Sequence, residues 1–184
     1  MRWVVFAMAT YVAVLLQTTL VGLVRIGGFA FGGVRPDLPA TLAVFIALRT
    51  RSRSDALLAA LALGVALDLT VAGGPGGEMV LGLLPMAYVL AAAVVFRVRE
   101  ALFRERILTQ AVLALGFCLL GHGIWVSAQA LLTAGETTWS AYRGMLYQAI
   151  GVSIYTAVAM PLVGAGLQRC ERWLVVPAPG RLGA

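Results

Sequence analysis

Arg35-Pro-Asp-Leu-Pro-Ala-Thr-Leu-Ala-Val-Phe-Ile-Ala-Leu-Arg49 is the stretch on which the fold of this chain turns. Pro36 and Asp37 stand before an apolar run, Leu38–Leu48, that meets no charge until Arg49. The pattern predicts a helix. An Asp37 carboxylate accepts amide hydrogen bonds from the first turn, and Pro39 fits that turn because it needs no donor there. Arg49 then opens a basic loop with Arg51 and Arg53. A membrane span takes about 20 residues, and this run has 11. It crosses a bilayer only if tilted, sheltered by neighbouring protein, or lengthened by the Gly-rich lead Ile26–Val34.

The runs on either side are longer. They cover Trp3–Val24, Ala56–Ala72, Met79–Phe96, Ile107–Thr133 and Met145–Leu167. Over all 184 residues, 61% are hydrophobic and 12% charged. Soluble domains carry about 25% charged residues, so the polar surface of a water-soluble fold is missing. A soluble enzyme, a disulfide scaffold, a coiled coil and a disordered chain are excluded. The expectation is an all-α, polytopic membrane bundle of about six transmembrane helices. It forms a single domain over 1–174, with a flexible Pro- and Gly-bearing tail at 175–184.

All fourteen basic residues are Arg, and the formal net charge is +6. They cluster between apolar runs, where topology selection and anionic lipid account for them and nucleic acid does not. With six crossings and a cytoplasmic N-terminus, Arg2, Arg49, Arg51, Arg53, Arg97, Arg99, Arg104, Arg106, Arg169, Arg172 and Arg181 lie inside. Arg25, Arg35 and Arg143 lie outside, eleven against three. The rule makes the Arg49–Arg53 and Arg97–Arg106 loops and the C-terminus cytoplasmic; if Leu38–Leu48 does not cross, the N-terminus lies outside and the count is twelve against two. The first run is too long for a cleavable signal and no small-residue cleavage site follows it. Cys118 in a span and Cys170 in the cytoplasmic tail do not pair.

Polar residues within the spans are few. Asp68 lies about a turn from the outer end of the third run, with Gly64 four residues earlier on the same face, where a small residue lets another helix approach. The choice is between a buried contact or ligand site and a carboxylate that reaches the outer interface or bonds a loop amide. Asp37 and Asp68 both fall toward the outer side and meet only through tertiary structure. Gly73, Pro75 and Gly76 belong to the outer turn Gly73-Gly-Pro-Gly-Gly77, which lacks the Lys and Ser/Thr of a phosphate loop. His122, the only histidine, reads as a helix-packing residue, because no titratable partner for a proton relay is evident around it in sequence. Pro85 is expected to kink the fourth span. No catalytic, cofactor or metal constellation emerges.

Taken together, Pro36-Asp37 opening an apolar run that ends in a basic loop, Gly64-Val-Ala-Leu-Asp68, and the glycine-rich turn resemble the MreD family of rod shape-determining membrane proteins. The likeness is carried by residues 35–90, and the second half matches only as hydrophobic spans. It implies a non-enzymatic scaffold of the cell-elongation machinery. Its direct partner would be a bitopic MreC-like protein. Through that partner it would reach an elongation penicillin-binding transpeptidase, a RodA-like glycosyltransferase and MreB-like filaments. The resemblance also implies a fold like the S components of energy-coupling-factor transporters. The alternative function is therefore a vitamin-type substrate-binding subunit. That alternative needs an outer pocket rich in hydrogen-bonding groups, for which the sequence offers Asp37, Asp68, Gln17 and Glu78.

Overall fold

The computed structural model describes residues 2–19, 33–71, 81–99, 107–133 and 138–174. These form six helices and no strand: α1 (Trp3–Thr19), α2 (Leu38–Arg49), α3 (Arg53–Val71), α4 (Leu83–Val98), α5 (Ile107–Leu132) and α6 (Trp139–Leu174). The protein is all-α across the described residues. Two stretches, Leu108–Leu132 and Trp139–Glu171, are long and apolar enough to cross a membrane, and α1, α2 and α4 are shorter apolar helices.

The shortest helix is the most deeply placed. At about 1.5 Å per residue α2 is roughly 18 Å long, and every residue from Pro39 to Leu48 is buried. Asp37 caps its start, with Oδ1 accepting from the Ala40 amide at 3.0 Å. Thr50, in extended conformation, ends it. α2 contacts all five other helices, α3 packs closely on α4, and α5 on α6. No side of α2 is left for a solvent or a lipid, which explains why its run is uninterruptedly apolar and shows no helical stripe.

The helices alternate in direction. The Arg99 guanidinium, at the C-terminal end of α4, donates to the carbonyls of Ala47 and Thr50 at the end of α2. It also lies over the Phe96 ring, 3.6 Å from its centroid. Arg49 pairs with Glu171 of α6 at 3.5 Å. The C-terminal ends of α2, α4 and α6 thus share one end of the bundle. At the opposite end, Gln17 near the close of α1 meets the start of α2. Asp68 near the close of α3 likewise meets the start of α4.

α3 and α4 touch backbone to backbone. A Cβ built on Gly64 would stand 2.6 Å from Pro85 Cα, so only a hydrogen fits where these helices cross. Pro85 does not interrupt a helix, contrary to the expected kink. α4 begins at Leu83, not Met79, which puts Pro85 in the first turn, where an amide has no intrahelical acceptor to lose. Gly82, in the left-handed region at φ 94°, makes the entry into that turn.

The outer faces of the long helices are apolar and uncovered. Leu108, Val112 and Leu131 on α5 and Val158 and Leu162 on α6 are all more than 60% exposed. Soluble monomers rarely expose such continuous apolar surface. Both Cys118 and Cys170 are free thiols.

Gly64→Ala is expected to lower unfolding stability in detergent by about 1–3 kcal/mol, the usual cost of forcing a methyl group into a filled contact. Gly116→Ala, which meets nothing within 4 Å, should be neutral or slightly stabilising. Denaturant unfolding of the two variants side by side checks this.

Candidate functional site

A carboxylate capping a helix normally faces water. Asp37 does not, because α2 starts inside the bundle: the residue is only 3% exposed. An unpaired buried carboxylate is very costly, and here α2, α4 and α5 supply partners to its two oxygens. Oδ1 takes the Ala40 amide of α2. Oδ2 accepts from the Tyr88 hydroxyl of α4 at 2.5 Å and lies 3.3 Å from His122 Nε2 of α5. The Asp37 amide donates to Thr156 Oγ1 of α6 at 2.9 Å. The next amide, Leu38, donates to Gln17 Oε1 of α1 at 3.0 Å.

The supporting residues are themselves held. Tyr88 is fully buried and its ring stands edge-on to Phe117, centroids 5.1 Å apart. His122 Nδ1 lies 3.0 Å from the Cys118 carbonyl. Both ring nitrogens therefore face oxygen acceptors, and the ring is matched on both sides when it carries both protons. Thr156 passes its own proton to the Val152 carbonyl at 2.7 Å, leaving its oxygen free to receive the Asp37 amide. The positive end of the α2 dipole lies against the same carboxylate.

His122 has a titratable partner, Asp37, 85 positions away in the chain, where spacing gives no sign of it. Tyr88 and Thr156 are the residues that sequence reasoning missed. Tyr88 is a lone polar group in an apolar run, and Thr156 follows Ser153 and Tyr155 with nothing to set it apart from them.

Asp68, 7% exposed, forms a second junction. Its Oδ2 accepts from the Gly82 amide at 2.6 Å, tying the end of α3 to the entry of α4. It is a buried carboxylate bonded to a loop amide and does not reach for the interface. Pro36 is buried beside Asp37, and Gly64 lies under Pro85. Gly73, Pro75, Gly76 and Glu78 lie outside the described residues.

Asp37 and Asp68 border one cavity of about 320 Å³. Gln17, Arg35, His122, Trp125 and Gln148 line it too, with apolar contributions from Leu67, Leu84 and Val126. This is more hydrogen-bonding capacity than the sequence disclosed. Among the described residues no group of three or more His, Cys, Asp or Glu side chains is placed to hold a metal ion.

Comparison with protein-family models, curated proteins and solved structures returns no match.

Asp37→Ala removes the cap and orphans the Tyr88 hydroxyl, and should cost about 2–4 kcal/mol of stability. Asp37→Asn keeps an oxygen for Ala40 and should cost less. Combining Asp37→Ala with Tyr88→Phe should be less damaging than the sum of the two, and a double-mutant cycle by denaturant unfolding reads that coupling.

Proposed function

We propose that this chain is a non-enzymatic scaffold of a bacterial inner membrane, similar in role to MreD-family proteins, and that it crosses the bilayer six times with its C-terminus in the cytoplasm. The observation that carries the reading is where the family-like residues stand. Pro36-Asp37 and Gly64-Asp68, the two best-matching elements, make the junctions that hold the helices together.

The alternating helix directions support six crossings. They put Arg49, Arg99 and the end of α6 at one end of the bundle, which agrees with a cytoplasmic side rich in Arg. α2 is short for a span, but it contacts protein on every side, so its polar ends need not reach either membrane surface. α6, at roughly 54 Å, exceeds the ~30 Å of a hydrocarbon core and extends beyond it at an end. The uncovered apolar faces of α5 and α6 suit lipid or the helix of another membrane protein.

On this reading the chain binds a bitopic, MreC-like partner and acts with it on peptidoglycan synthesis during elongation. The experiment is affinity purification of the full chain in mild detergent from its native cell, with depletion in parallel. Recovery of a bitopic coiled-coil protein, and rounding of depleted cells, is the expected result. Recovery of an ATPase with its membrane coupler, with normal cell shape on depletion, would reject the scaffold in favour of the S-component alternative. One observation favours that second reading, namely the polar cavity bordered by Asp37 and Asp68.

A further inference from the structure

The polar groups around the cavity divide into those already matched and those left over. Asp37 is fully engaged by Ala40, Tyr88 and His122, and His122 is engaged on both nitrogens. The Gln17 carbonyl is taken by the Leu38 amide. What remains is specific. Among the described residues the Trp125 indole N–H is buried with no hydrogen-bond partner, whereas buried donors are normally matched. Among the described residues, the Gln148 amide and the Arg35 guanidinium make no hydrogen bond or ion pair, and Asp68 has one oxygen in use, on Gly82.

The leftover groups thus comprise one cation, one anion with a free oxygen, a buried N–H and a primary amide, around a space partly walled by Leu67, Leu84 and Val126. Ligand pockets run from about 300 to 1,000 Å³; at about 320 Å³ this one suits a molecule of amino-acid size. A net anion would leave Asp68 opposed, and a net cation would leave Arg35 opposed. A molecule with one charge of each sign satisfies both. Its anionic end also suits the Trp125 N–H, which only donates.

We propose that this cavity binds a small zwitterion of the free α-amino-acid class, its carboxylate toward Arg35 and Trp125 and its ammonium group toward Asp68. The site does not depend on the scaffold reading. The amino acid is a bound effector if the chain is a scaffold, and a cargo if it belongs to a transporter.

The test is calorimetric titration of the full chain in mild detergent with alanine, leucine and glutamine, each beside its carboxamide and its N-acetyl derivative. At least one free amino acid should bind. Its carboxamide, lacking the carboxylate, and its N-acetyl form, lacking the ammonium, should each bind at least about tenfold more weakly, the loss of one charge-assisted contact. Arg35→Gln and Asp68→Asn should each weaken binding about tenfold. Asp68→Asn keeps an acceptor for the Gly82 amide, and Arg35 is exposed and bonds none of the described residues, so at least the Arg35 variant is expected to fold, which its unfolding curve checks. No binding by any of the three amino acids, or binding indifferent to the derivatives and to Arg35→Gln, overturns the proposal. Because co-purification does not enter, the site and the scaffold role stand or fall separately.

Discussion

A carboxylate that starts a helix inside a protein must find all its partners there. Asp37 is that carboxylate, and the positions of the helices around it follow from its needs. One oxygen holds the first turn of α2, the other receives α4 and faces α5, and the amides beside it reach α1 and α6. α3 joins at one remove, through Asp68 and the entry to α4. Apolar packing alone is permissive about rotation and sliding of helices. Hydrogen bonds to a buried charge are not, since each is directional and each vacancy is expensive.

This arrangement inverts the usual division of labour in a water-soluble fold. Polar residues here sit at helix junctions in the interior, whereas large apolar side chains face outward along α5 and α6. Small residues complete the scheme. Gly64 brings the α3 and α4 backbones into contact, and the alanines of α2, α3 and α4 line the core. Where no water drives helices together, close backbone approach and satisfied polar groups are what remain to specify the packing.

Local signals are legible in the chain. Asp37 before Leu38 with Pro39 next predicts a capped helix, and residues 38–49 form one. Gly64 below Asp68 predicts a close helix neighbour, and Pro85 is that neighbour. The misplaced features are tertiary ones. Pro85 looks like a kink only if its helix starts at Met79, and four residues decide between a broken helix and a well-made first turn. His122 looks isolated because Asp37 and Tyr88 are distant in sequence and no periodicity links separate helices. The cavity is illegible for the same reason, as Arg35, Asp68, Trp125 and Gln148 come from separate parts of the chain. The six crossings proposed above rest on the charge pattern and the helix directions together, with two helices long and apolar enough on their own.

The burial of α2 also bears on how the chain is made. A protein is synthesised from its N-terminus, so α2 emerges before α4, α5 and α6, the helices that supply Tyr88, His122 and Thr156, and before Arg99 at the end of α4. Until those arrive, Asp37 has the Ala40 amide of its own helix and no second-oxygen partner, and the carbonyls of Ala47 and Thr50 lack the Arg99 guanidinium. The first half of the chain is therefore provisional during its own synthesis. A chain stopped short of α6 would lack Thr156, the acceptor for the Asp37 amide, and so leave a buried donor unmatched at the start of its central helix.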